Sequence, residues 1–305
     1  MKVVTLDLDK LLKEGKLTQA EYDKLLQLSS RTVTHLFYNV MLGFSVVAVS
    51  VATIALLPGP AGAIAIGLVI CLLGIALSRL LPDTLGPLAK TCLVVGALIF
   101  GGGDILGSQG SVRSFFEVAI VWGAFGILAR SQMLIALCVL ALASCLGART
   151  GYLHATYFVG IQEPLLTVLL FTPFAVITFR LAQHLLPDYQ ALAMAAARTG
   201  VFLVNFGFWV GSLWGDRTAN GDVLIPAWIF AIAWALALAA AGYWAWRHNR
   251  RWLLTLATIF GAIHFYTQWF EHLKTTPTTI LIGGLLGIAF ALAFRALNAR
   301  MKTDG

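Results

Sequence analysis

The sequence predicts an all-α fold: a polytopic integral membrane bundle of about ten transmembrane helices, preceded by a short N-terminal cytoplasmic helical hairpin. Three observations predict it. Of 305 residues, 59% are apolar and only 11% charged, against about 25% charged in soluble domains. The apolar residues fall in repeated runs of about 20 residues, the length that crosses a ~30 Å hydrocarbon core. Short stretches of proline, glycine and arginine separate these runs.

Residues 1–35 form the one segment with a soluble pattern. Leu8, Leu11 and Leu12 lie at helical spacing, and Gly15 is placed to end that helix in a left-handed cap. Thr18-Gln19-Ala20-Glu21 is a capping box, with Leu17 and Tyr22 placed for a hydrophobic staple. Leu25, Leu26 and Leu28 continue an apolar stripe too small to make a core alone. The hairpin is expected to dock on the bundle, on the membrane surface or on a second copy, which makes residues 1–35 the place for a homo-oligomer contact or a protein partner. Its basic and acidic residues are interspersed, so no nucleic-acid partner is expected. The polar, lysine-rich start is unlike a cleavable signal peptide.

Residues 36–305 are expected to form the ten-span bundle, with spans near 36–57, 61–80, 88–107, 114–129, 132–148, 164–182, 199–215, 224–246, 252–272 and 277–297. Pro58-Gly59-Pro60 makes the first turn. Pro82-Asp83 with Gly86-Pro87 makes the second, and Arg130-Ser131 a tight fourth. Thr275-Thr276-Pro277 opens the last helix, threonine as cap and proline in the first turn. Span 114–129 is the weakest, covering about 24 Å at helical rise. Two longer connections, Tyr152 to Gln162 and His184 to Ala197, read as interfacial helices.

Charge tests the span count. With ten spans, inner segments hold 17 of the 21 Lys and Arg, and outer segments hold Arg113, Arg149, Arg217 and Lys274. That asymmetry places both termini in the cytoplasm of a multi-pass protein, for which an inner membrane is the expected location. The lipid bilayer is its first partner. Trp209, Trp214, Trp228 and Trp269 fall toward outer ends, and Trp244, Trp246 and Trp252 toward inner ends, as an aromatic belt requires. Ten spans also split into five and five, a parity that permits an inverted repeat. The halves share little beyond Phe125-Gly126 and Phe260-Gly261.

Ionisable groups inside spans are expensive and point to function. Asp104 follows Gly101-Gly102-Gly103, about 21 Å beyond Lys90 at helical rise. Glu117 lies one turn after Arg113. His264, Gln268 and Glu271 are spaced i, i+4, i+7 on one face of the ninth span. These five residues are the candidate substrate- or ion-binding groups: the carboxylates for a cation or proton, and His264 as a proton carrier near neutral pH. Each has a plainer role too. Asp104 can face headgroups, and Glu117 can pair with Arg113. His264 and Asn205 can hydrogen-bond between helices, Glu271 can be solvated, and the glycines can serve close packing.

Other chemistry has no signature. The four cysteines lie in apolar runs without metal or redox spacing, and read as packing residues. Phosphate-loop, zinc-protease, nucleophile-elbow and dinucleotide motifs do not occur. No catalytic residue, metal or cofactor is therefore assigned, and a membrane enzyme would need an unfamiliar arrangement of Asp, Glu and His.

The segment Leu11-Leu12-Lys13-Glu14-Gly15-Lys16-Leu17-Thr18-Gln19-Ala20-Glu21-Tyr22 resembles the opening hairpin of DUF2157, a family of bacterial membrane proteins of unknown function. The glycine-rich Gly96-Ala97-Leu98-Ile99-Phe100-Gly101 is similar to a span of that family. The resemblance implies a membrane location and brings no site residues with it. From the residues themselves, the leading expectation is a secondary transporter or permease-like protein for a small solute or cation, with its site between spans three, four and nine. A non-transporting sensor or assembly scaffold acting through its N-terminal hairpin is the alternative, and a membrane-embedded enzyme the second.

Overall fold

A computed structural model describes residues 11–12, 15–56, 59–153, 156–218, 222–273 and 275–300. Leu8, on which the first helix of the hairpin rests, and Pro58 of the first turn lie outside these residues. Gly15 takes the left-handed conformation (φ 66°), and the Lys16 N–H donates to the Leu11 carbonyl at 2.9 Å. The capping box forms. The Thr18 N–H and Oγ–H both donate to the Glu21 carboxylate, at 2.9 and 2.8 Å, and the Glu21 N–H donates back to the Thr18 hydroxyl at 3.3 Å.

Helix α1 then runs from Gln19 to Leu56, 38 residues without a break. No proline and only one glycine, Gly43, interrupts that sequence, so nothing ends the helix near residue 35. The second half of the expected hairpin and the first expected span are one element.

Contacts divide the chain into two units, Met1–Gly110 and Ser111–Gly305. In the first, α2 (Pro60–Leu80) packs along α3 (Pro82–Gly107). The expected turn at 82–87 is largely helical. Pro82 sits at the first helical position, where its missing N–H costs nothing, and the chain kinks at Leu85 (φ −117°). Pro87, two residues on, cannot donate to the preceding turn. Glycines let the two helices touch. A Cβ on Gly96 would stand 2.7 Å from the Cys71 nitrogen and 2.8 Å from the Gly67 carbonyl oxygen, and one on Gly103 would stand 2.8 Å from the Ala63 methyl. This is the small-residue packing used where two apolar helices associate without a hydrophobic driving force.

The second unit opens with α4 (Val112–Leu128), capped by the Ser111 hydroxyl. The Arg130-Ser131 turn is as tight as expected: Arg130 adopts φ 50°, and the Ser131 N–H reaches the Gly126 carbonyl at 2.8 Å. Ser131 also caps α5 (Gln132–Ser144). An antiparallel hairpin follows, β1 (Ala148–Leu153) with β2 (Thr156–Ile161), where an interfacial helix was expected. Its Thr, Tyr, Phe, Val and Ile residues favour the pleated conformation.

Helix α6 (Pro164–Ala182) leads to α7 (Pro187–Trp214). The expected surface helix before Ala197 is simply the first half of α7, and Arg130 pairs with Asp188 in its first turn. A short β3–β4 ladder (Asp216–Arg217 with Val223–Ile225) precedes α8 (Ala227–Arg247), α9 (Arg251–Leu273) and α10 (Pro277–Arg300). Thr276 caps α10, accepting from the Thr279 N–H at 3.2 Å. A buried cluster of Val139 and Ala143 (α5), Phe171 (α6) and Ala196 and Leu203 (α7) makes the apolar core.

Each expected span overlaps a helix, though 132–148 runs past the end of α5 at Ser144 and 224–246 begins in β4. Among the described residues, five helices are long and apolar enough to cross a membrane: α2, Leu85–Gly107 of α3, α6, α7 and α8. Apolar stretches in α1, α5 and α10 are shorter. With 23 residues, α9 is long enough but more polar than these five. Large apolar side chains such as Phe44, Leu106, Leu236 and Leu281 stand exposed, a surface that suits lipid and not water.

Candidate functional site

Part of the polarity of α9 lies where it meets α7 and α8. Trp234 of α8 is fully buried at 0% exposure. Its indole N–H donates to the Asn205 side-chain oxygen of α7 at 3.0 Å, and the Asn205 amide donates to the Val201 carbonyl one turn back at 2.8 Å. On its other side the Trp234 ring meets His264 of α9, centroids 4.8 Å apart and nearly perpendicular. Phe260, one turn earlier on α9, packs on both Trp234 and Phe202. One turn further along α7, the Trp209 N–H donates to the Thr267 hydroxyl of α9 at 3.1 Å.

A seam of aromatic rings and amides therefore crosses three helices. Antiparallel geometry explains how they meet. Trp234 lies 13 residues before Arg247 and His264 lies 13 residues after Arg251, so both sit about 20 Å from the α8–α9 turn at helical rise.

Two polar atoms on α9 are not answered. The His264 Nδ1 and the Gln268 Nε2 are buried, and neither has a hydrogen-bond partner among the described residues. Burying such groups unpaired costs on the order of 1–3 kcal/mol each. They lie four residues apart, so one helix face carries both.

Glu117 and Glu271 stand at exposed positions of the same unit. Glu117 forms an exposed ion pair with Arg113, 2.7 Å, one turn apart on α4. This is the plainer of its two roles, and the Arg113 guanidinium holds the carboxylate at the surface. Glu271 is exposed near the end of α9. Asp104 belongs to the first unit, where its backbone carbonyl accepts from the Ser108 N–H and hydroxyl at 3.0 and 2.8 Å. The sequence had assigned Asn205 a helix-bridging role, which its bond to Trp234 fulfils. Trp234 itself was not singled out. Its signal is position: it lies mid-span, where an interfacial tryptophan does not belong.

Among the described residues, no three His, Cys, Asp or Glu converge as a metal centre requires. Comparison with protein-family models, curated proteins and solved structures gives no match. The likeness of the N-terminal segment to DUF2157 stands on its residues alone.

Proposed function

We propose that this chain is a multi-pass membrane protein that moves a small solute, with His264 and Gln268 of α9 as its binding groups. The observation that carries the proposal is the pair of buried polar atoms on one face of α9. Ionisable and amide groups at membrane depth ordinarily pair or face a bundle interior or pathway. The Gln268 amide offers N–H groups to an acceptor on the solute, a carboxylate or carbonyl. His264 takes up a coupled proton at its free ring nitrogen. The Trp234–Asn205 bond fixes the wall against which His264 rests.

The same proposal includes ten spans, both termini in the cytoplasm and an inner-membrane location, supported by the 17-to-4 distribution of Lys and Arg. Residues 1–35 offer the contact for a second copy or a protein partner.

Vesicles reconstituted with the purified protein test this. Uptake of a labelled monocarboxylate, amino acid and sugar is followed under an imposed pH gradient, for wild type and for the double variant His264→Leu with Gln268→Met. Uptake of one solute class by wild type, lost in the variant, is the expected result. Equal uptake by both proteins would overturn the assignment of the site. No uptake of any class would favour a scaffold acting through the N-terminal segment.

A further inference from the structure

A second feature of the Ser111–Gly305 unit borders the seam at Phe202. An open groove of about 570 Å³ runs between α5, α7 and α9. Its walls change character along one direction. On α7 the lining steps from Arg198 and Thr199 to Phe202. On α9 it steps from Trp252 through Thr255 to Leu256, and α5 contributes Ala136 and Leu140. Four residues along a helix advance about 6 Å. With α8 as the intervening return, α7 and α9 run in the same direction, so cation and indole stand at one end and apolar side chains at the other.

The polar end is built for an anion. The Arg198 guanidinium lies over the Trp252 ring, 5.6 Å from its centroid, and the Trp252 indole N–H is buried without an acceptor among the described residues. Phe179 of α6 packs on both Trp252 and Trp244, and Arg250 lies over the Phe179 ring at 5.6 Å. Arginines and tryptophans gathered at one level are the signature of the headgroup region of a bilayer. Basic pockets between spanning helices at that level recognise anionic lipid headgroups.

We infer that this groove holds an anionic phospholipid, its phosphate on Arg198 and the Trp252 N–H and an acyl chain along Phe202, Leu256 and Leu140. The phosphate supplies the acceptor that the buried indole lacks, once the exposed Arg198 side chain lifts from the ring. The acyl chain covers an apolar wall that a free phosphate would leave bare. Neither element depends on solute transport, so lipid binding and uptake stand or fall separately.

The test uses the full-length protein in detergent, titrated with phosphatidylglycerol, with phosphatidylcholine of the same chains, or with inorganic phosphate. Bound lipid is counted by native mass spectrometry and thermal unfolding is followed in parallel. The expected result is retention of phosphatidylglycerol in preference to phosphatidylcholine, with a raised unfolding temperature. Arg198→Gln should weaken this retention by about tenfold or more, the equivalent of one charge-assisted hydrogen bond. Arg198→Lys should keep part of it. Trp252→Phe, which preserves the ring and removes only the N–H, should weaken it by a smaller factor. Three results would overturn the inference: equal retention of the two lipids, undiminished retention by Arg198→Gln, or the same stabilisation by inorganic phosphate alone.

Discussion

Trp234 and His264 meet edge to face, ring centroids 4.8 Å apart and planes at 73°, yet the His264 Nδ1 has no hydrogen-bond partner among the described residues. A histidine kept for packing alone would gain from losing that atom. Replacing a buried unsatisfied group by an apolar one of similar size is nearly neutral, and the ring contact contributes about 0.5–1.5 kcal/mol. His264→Leu should therefore change unfolding stability by no more than about 1 kcal/mol while abolishing solute movement. Denaturant unfolding in detergent measures the first and vesicle uptake the second. A loss well beyond that size would return His264 to the role of a helix-bridging residue.

Asn205 is different, because its side-chain oxygen is, among the described residues, the acceptor of the Trp234 N–H. Asn205→Leu leaves that N–H buried and unpaired, at a cost of about 1–2 kcal/mol. Adding Trp234→Phe removes the orphaned donor, so the double variant should lose less than the sum of the two single changes. A double-mutant cycle on unfolding free energies reads the coupling directly. Strict additivity would show that the bond contributes nothing to stability.

The glycines of the first unit make a contrast within one helix. A Cβ on Gly96 meets the backbone of α2, nitrogen at 2.7 Å and oxygen at 2.8 Å, whereas a Cβ on Gly102 meets nothing within 4 Å. Gly96→Ala must push α2 from α3, and the cost of such overpacking is about 1–3 kcal/mol. Gly102→Ala only exchanges glycine for a better helix former and should stabilise by about 0.5 kcal/mol. Thermal unfolding of the two variants should therefore move in opposite directions.

Much of the layout was legible because it follows from local chemistry. The capping box at Thr18, the left-handed Gly15, the Arg130-Ser131 turn and the Thr276 cap are all written in neighbouring residues. Helix continuity was less legible. Residues 19–56 carry a polar half and an apolar half, and composition drew a boundary where the backbone has no reason to stop. The strands at 148–161 were missed because amphipathic aromatics suit an interfacial helix and a hairpin equally until pairing decides. The site was half legible: the i, i+4 spacing of His264 and Gln268 placed them on one face. Their neighbours Trp234 and Asn205 come from other helices, and only the equal distance of Trp234 and His264 from the α8–α9 turn foretold their meeting. Glu117 looked like a ligand by depth, but its nearest cation was always Arg113, one turn away.

The cap of α1 gives a prediction in pH. Glu21 accepts hydrogen bonds from the Thr18 N–H and hydroxyl, and these, the backbone bond foremost, hold its carboxyl below the ordinary value of 4.5. A carboxyl with a depressed value in the folded state binds its proton less readily there than in the unfolded chain. Its stabilisation is fully present above the unfolded value and is lost as pH falls through the folded one. The first turn of α1 should therefore be protected from amide exchange at neutral pH and should fray as pH is lowered below about 4.5. Glu21→Gln should flatten that dependence. Thr18→Ala, which removes the hydroxyl that receives the Glu21 N–H, should loosen the same turn at every pH, by about 1 kcal/mol of local helix stability. Hydrogen exchange resolved to residues 18–25 separates the two: a pH-independent profile in wild type would mean that the Glu21 carboxylate does not hold the cap.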